Sequence, residues 1–140
     1  MAYFGEYDYT LDASNRVILP SRFREPLGSE IILYNANEGC LFIYDQSTFE
    51  QITQPLAALT KTDEGRLLVR RFYSDATPAS LDRSGRLVVP AECIEHAGLK
   101  EEVVVLGAGN RIELWDKAAY RKNVGEKAEL AVGDYPEIAF

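Results

Sequence analysis

A chain that spells one pattern twice is constrained to fold both copies alike. Residues 81–92 read LDRSGRLVVPAE, and residues 11–20 read LDASNRVILP. At an offset of 70, Leu11, Asp12, Ser14, Arg16, Pro20, Glu25 and Gly28 recur as Leu81, Asp82, Ser84, Arg86, Pro90, Glu95 and Gly98. Residues 17–19 (Val-Ile-Leu) recur as 87–89 (Leu-Val-Val), apolar for apolar. Past Gly28 the offset becomes 71, a one-residue difference in a connection. There Leu41, Ile43, Tyr44, Asp45 and Phe49 recur as Ile112, Leu114, Trp115, Asp116 and Tyr120. Two copies are too few for a solenoid. In 140 residues they predict one domain whose two halves close on each other as a pseudo-symmetric pair.

Each copy can be read for its elements. Residues 7–12 alternate with the period of two of a half-buried strand. A polar loop follows, with Asn15 and Gly85 at the equivalent position; both residue types tolerate positive φ. A second strand, 16–19 or 86–89, is stopped by Pro20 or Pro90. Proline suits the first position of a helix, so short helices are expected over 20–27 and 90–97, each ending at a glycine. Strands near 30–34 and 40–44 follow, matched by 102–107 and 111–115, with turn-rich stretches between each pair. Ser47 to Glu50 has capping-box spacing, Pro55 predicts a break, and Thr62/Asp63 caps a helix over 62–73. Asp116–Leu130 is the closing helix of the second copy. The expected divisions are 5–73, 75–130 and a tail, 131–140. Strand, strand, short helix, strand, strand, helix, used twice, predicts an α+β fold with a small barrel or sandwich as its core.

Two readings of the repeated Asp-x-x-x-Arg loop stay open at this level. In one it is a tight turn, the aspartate bonding loop backbone and the arginine pairing with it. In the other the aspartate holds the arginine so that its guanidinium faces phosphate or a guanine edge. The net charge of −7 argues against non-specific nucleic-acid binding, so the second reading depends on where the basic groups sit. Residues 12–24 carry Asp12 with Arg16, Arg22 and Arg24, a local charge of +2, whereas residues 82–92 are balanced by Asp82, Arg83, Arg86 and Glu92. By sequence, then, the first loop sits in the basic neighbourhood. Arg66, Arg70 and Arg71 form a further group whose 66/70 spacing shares a helix face, read as a solvated face ahead of a nucleic-acid contact.

LDASNRVILPSRFRE, LDRSGRLVVPAECIEHAGL and VVVLGAGNRIELWD together resemble the MraZ family of bacterial transcriptional regulators, over residues 1–128. The family carries two SpoVT/AbrB-type units in one chain. The resemblance implies that the units intertwine into one pseudo-symmetric small β-barrel domain with flanking helices, and that chains assemble into a closed homo-oligomeric ring. It implies binding to short direct repeats in the promoter of the protein's own division and cell-wall gene cluster, usually as a repressor. By the family motif Arg16 and Arg86 contact DNA, with Asp12 and Asp82 orienting them. Arg22, Arg24 and Arg83 complete the candidate set. The first loop departs from the motif: Ser14-Asn15 stands where a Lys-Gly pair is usual, and Arg22 and Arg24 are expected to compensate.

An enzyme reading finds little support. The single histidine, His96, lies at an expected helix end, where a dipole contact is its ordinary role. An Asp12/Asp82 carboxylate dyad would need both groups to share a proton, yet each has an arginine four residues on that favours its ionised form. No phosphate-binding glycine loop, zinc spacing or nucleophile elbow is present, and no cofactor or small-molecule substrate is expected. The serious alternative is a protein-interaction module, adaptor or antitoxin-like, with Tyr3, Phe4, Tyr7 and Tyr9 lining a groove; core or subunit packing is the other role open to those aromatics. The apolar runs are strand-sized, and the N-terminus lacks a signal peptide's basic and apolar regions. With Cys40 and Cys93 isolated, a reduced cytoplasmic protein is expected, and the family resemblance implies association with the nucleoid.

Overall fold

The structure, a computed structural model, describes residues 2–125 and Glu137. The first half runs β1 (Tyr3–Thr10), β2 (Arg16–Ile18), α1 (Ser21–Leu27), β3 (Glu30–Asn35) and β4 (Leu41–Asp45), then α2 (Gln46–Thr53), α3 (Leu56–Leu59) and α4 (Asp63–Ser74). The second half runs β5 (Ala76–Ser80), β6 (Arg86–Val88), α5 (Ala91–Ala97), β7 (Glu102–Gly109), β8 (Ile112–Asp116) and α6 (Lys117–Tyr120), which passes into a π-helical turn, Arg121–Gly125. The remainder of the helix expected to reach Leu130, and the tail apart from Glu137, lie outside the described residues.

The halves exchange strands. A six-stranded antiparallel sheet has the order β1-β7-β8-β4-β3-β5, and β2 pairs with β6 in a separate two-stranded ribbon. Thus β1 finds its partner in the second half, on β7, and β5 finds its partner in the first, on β3. The register is reciprocal throughout. Val17 faces its own equivalent Leu87, and Phe42 faces its equivalent Glu113. Those two pairs mark a pseudo-two-fold axis that passes through the ribbon and the centre of the sheet. Ribbon and sheet enclose one barrel-like core, with β1 and β5 as the sheet's edges.

That core is built from matched positions: Val17 and Leu87, Leu19 and Val89, Ile31 and Val103, Leu33 and Val105, Leu41 and Ile112, Ile43 and Leu114, all buried. Burying side chains of this size stabilises by roughly 1.5–3 kcal/mol each, so the symmetric set accounts for much of the driving force. The match fails on the short helices, where Phe23 and Leu27 correspond to Cys93 and Ala97. Phe23 fills its larger share by packing edge-on against Tyr3 and Tyr7. Tyr3 is buried with its hydroxyl donating to Asp45 Oδ2 at 2.9 Å, and Tyr7 stacks on Tyr9. These aromatics therefore serve packing, and only Phe4, 64% exposed, stands out of the strand.

Three sequence expectations shift in detail. β1 begins at Tyr3, because its first residues pair with Gly107–Gly109 of the other half. Ile31 answers to Val103, an offset of 72, so the connection before β7 is longer and the following hairpin turn shorter than one common offset allows. The cap of α2 is Asp45, whose Oδ1 accepts from Thr48 N–H at 2.8 Å, and not Ser47. Its equivalent, Asp116, caps α6 in the same way through Ala119 N–H. Pro55 does break the helix, and Thr62 caps α4 by accepting from Gly65 N–H. His96 sits in the last turn of α5, and its Nε2 lies 2.7 Å from the Ala36 carbonyl, which ties that helix to the β3–β4 turn.

Strand exchange makes a direct prediction. Residues 1–74 expressed alone leave β1 without its hydrogen-bonding partner and expose the buried face of β2. That fragment is expected to show no cooperative thermal unfolding by circular dichroism, whereas co-expression with residues 75–140 restores a single transition.

Candidate nucleic-acid interface

Each loop follows directly from the residue types at its turn. The chain leaves β1, reverses over Asp12 to Asn15, and enters β2 at Arg16. Reversal needs a left-handed residue, supplied by Asn15 with φ 61° in one copy and Gly85 with φ 75° in the other. Asp12 Oδ1 accepts the backbone N–H of Ser14 at 2.8 Å and of Arg16 at 2.9 Å, while Oδ2 accepts Nε–H of Arg16 at 3.0 Å. Asp82 repeats this with Ser84 at 2.8 Å, Arg86 N–H at 2.9 Å and Arg86 Nε at 2.8 Å. The backbone N–H of Arg16 or Arg86 is the leading cause that holds each carboxyl below the usual aspartate range, with the guanidinium adding to it. Turn and orienting device are the same set of bonds.

This geometry fixes the arginines by one edge only. Nε is engaged, and the terminal amino groups of Arg16 and Arg86 make no hydrogen bond among the described residues. Both side chains are well exposed, 38% and 40%. Strand alternation places Val17 and Leu87 inward and Arg16, Ile18, Arg86 and Val88 on the outer face of the ribbon. One cross-bond clamps each loop to the opposite half: Leu19 N–H donates to Gly85 O at 3.0 Å, and Val89 N–H to Asn15 O at 2.8 Å. The two aspartates consequently lie at opposite ends of the ribbon, each with its own arginine, so a shared-proton dyad has no geometry here.

The antiparallel ribbon overturns the local charge reading. Following β2 from the first loop carries the chain to the far end, where it meets the second loop. Arg24, which follows the first loop in sequence, therefore lies across Gly85 of the second, its Nε donating to Leu19 O at 3.1 Å. A Cβ at position 85 would push that guanidinium aside, so glycine there leaves Arg24 its place as well as supplying the φ. The basic neighbourhood belongs to the second loop, alongside Arg83, which is exposed and unpaired among the described residues. Arg24 is thus not placed to compensate for Ser14. Arg22 is elsewhere again, lining a groove beside Ala2 and Phe4.

Other candidates resolve simply. Arg66 pairs with Asp63 and donates to Thr60 O at 2.9 Å, a local helix-start arrangement. Tyr44 and Trp115 are buried at equivalent positions, Trp115 donating to Glu113 Oε1 at 2.9 Å. Cys40 and Cys93 are buried thiols without a disulfide. Among the described residues no helix is long and apolar enough to cross a membrane. The outward pair Ile18 and Val88 carries no mark in the sequence, since three-residue strands of apolar letters hide which one faces out.

Comparison with known proteins agrees with the duplication and the loops. A family model described as "MraZ protein, putative antitoxin-like" matches residues 2–71 and again 72–135. A "Transcriptional regulator MraZ" of Clostridium acetobutylicum is 40% identical over 116 residues, covering 82% of this chain and 82% of that protein. Proteins of the same name from Carboxydothermus hydrogenoformans and Heliobacterium modesticaldum are 37% and 36% identical over 138 residues, covering 98% of this chain and 94% of each. These are regulators by name and not enzymes. Two matches of the model, one over each half, together with identity above one third along nearly the whole length, place this chain in the MraZ family.

Proposed function

We propose that the protein is a sequence-specific DNA-binding transcriptional regulator that grips duplex through the paired Asp-x-x-x-Arg loops. The observation that carries this reading is the pair of guanidinium groups, each fixed by its aspartate through Nε and turned outward on a two-stranded ribbon, with no hydrogen bond to its terminal amino groups among the described residues. Such a fork fits phosphate oxygens or guanine O6 and N7. Asp12 and Asp82 orient Arg16 and Arg86; Arg83 and Arg24 add positive charge at the second loop, and Arg22, on α1, is a further basic group away from both loops. The binding site is short direct repeats in the promoter of the protein's own division and cell-wall gene cluster, where the regulator acts as a repressor, in the cytoplasm at the nucleoid.

A net charge of −7 is compatible with this if copies assemble into a closed ring with their ribbons along one rim. Each contact then follows another at high effective concentration, and acidic surface elsewhere stays clear of the duplex. The antitoxin-like description of the matching family model keeps a protein-binding module as the second reading. Salt separates the two, since phosphate contacts weaken steeply with ionic strength and an apolar groove does not.

The primary test is anisotropy of a labelled duplex from upstream of the protein's own gene across a salt series. Wild type should prefer it to scrambled duplex. Arg16→Ala/Arg86→Ala should lose that preference and flatten the salt slope by about two, one per lost contact. An unaltered slope in a variant that assembles normally by light scattering would sink the proposal.

Gly85→Asn probes Arg24 separately. Asparagine tolerates the φ, as Asn15 does, but its side chain takes the space of the Arg24 guanidinium. Affinity should fall and the slope drop by about one, while Asn15→Gly leaves both unchanged.

The lowered aspartate pKa values fix a pH signature. A carboxyl with a folded pKa below its unfolded value stabilises the fold above the unfolded pKa and loses that contribution as pH falls through the folded one. Amide proton shifts of Ser14, Arg16, Ser84 and Arg86 should therefore titrate together, with midpoints below the ~3.9 of free aspartate. A midpoint at or above that value would mean that the carboxylates do not hold the loops in solution.

A further inference from the structure

The outer face of the ribbon carries two residues that neither turn nor charge explains. Ile18 and Val88 are equivalents in the duplication, and both are solvent-exposed, at 44% and 58%. Their strand neighbours Val17 and Leu87 are buried at 1% and 0%, so the alternation is clean and neither outward side chain can reach the core. Register sets Arg16 opposite Val88 and Ile18 opposite Arg86. The face is thus a four-point pattern in which each arginine has an apolar, β-branched partner across the ribbon.

The arginines on either side indicate which occupant covers this face. A two-stranded ribbon fits the major groove, about 12 Å wide, where the four base pairs differ in their edge groups. Arginine pairs there with guanine, and the apolar feature of that surface is the C5-methyl of thymine. We propose that Ile18 and Val88 are base-reading residues that pack against thymine methyl groups next to the positions held by Arg16 and Arg86. The inference rests on the DNA-binding reading and adds to it the source of part of its specificity. Ile18 and Val88 are diagonal neighbours, and such pairs lie about 7–8 Å apart. Base pairs rise about 3.4 Å per step, so the two side chains span two steps. The bound site accordingly holds thymines two steps apart, on one strand or on both.

The test changes the base instead of the protein. The duplex from upstream of the protein's own gene is made with thymine or with deoxyuridine throughout, which removes only the methyl groups. Wild type should bind the deoxyuridine duplex about fourfold more weakly for each methyl contacted, and about fifteenfold for two, at ~0.8 kcal/mol per buried group. Ile18→Ala/Val88→Ala should bind both duplexes alike, at the weaker affinity and with the salt slope of wild type. Equal wild-type affinity for the two duplexes, with preference over scrambled DNA retained, overturns the methyl-reading role and leaves the DNA reading standing. Loss of that preference altogether overturns both. A smaller particle by light scattering for the alanine variant, with its thymine-to-deoxyuridine ratio unchanged from wild type, overturns it in favour of a contact between copies of this chain.

Discussion

The pairing of β2 with β6 across the pseudo-two-fold axis is the constraint on which the remaining structure depends. Three residues from each half form it, and among the described residues the one further pairing of either strand is a single bridge from Leu87 to Leu81. An isolated two-stranded ribbon is marginal in water. This one persists because Val17 and Leu87 drive its inner face into a core that β3, β4, β7 and β8 complete. The larger sheet repeats the arrangement, since among the described residues β1 and β5 each pair only with the opposite half. Folding is therefore cooperative between the copies, and neither copy owns a complete core. The two loops inherit fixed positions from this, clamped at Gly85 by Leu19 and at Asn15 by Val89.

Within that frame one carboxylate does two jobs. Asp12 bonds the backbone of its own loop through Oδ1 and the arginine side chain through Oδ2, and Asp82 does likewise. The turn reading and the orienting reading of Asp-x-x-x-Arg are thus not rivals. A tight turn delivers the arginine to its aspartate, and the ion pair then selects one rotamer from a side chain with ~2 kcal/mol of rotamer entropy. Being exposed, the pair adds little to stability by itself. What it provides is direction. The guanidinium is ordered before any ligand arrives, so less entropy is lost when one does.

Much of this was legible in the letters, and the failures have a common cause. The offset of 70 located both loops, both short helices and the paired strands, since duplication tests every local assignment twice. Asn15 and Gly85 declared the left-handed turn. Sequence proximity misled where the chain crosses over. Arg24 lies twelve residues from Asp12, yet its guanidinium rests on Gly85, because β2 carries the chain to the opposite end of the ribbon. Ile18 and Val88 were hidden for a related reason: Val-Ile-Leu and Leu-Val-Val show no polar letter to mark the outward side, and only the pairing register supplies it. The offset of 72 between β3 and β7 is likewise a fact of register.

The same crossing breaks the symmetry that the duplication sets up. A perfect two-fold reader faces both directions of a duplex equally and favours a palindrome. Here Arg24 covers Gly85 at one end of the ribbon, whereas its equivalent Ile94 packs against the core and Asn15 stays exposed at the other. Arg83 corresponds to Ala13, which sharpens the difference. The ribbon has one strongly basic end and one plainer end. On the DNA-binding reading, phosphate attraction is then unequal along the duplex, and each subunit carries a preferred direction. Subunits related by rotation around a ring point the same way along the rim. On that reading their combined preference is for sites repeated in one direction, so a near-symmetric fold can favour direct repeats through Arg24 and Arg83, which have no basic counterpart in the other half.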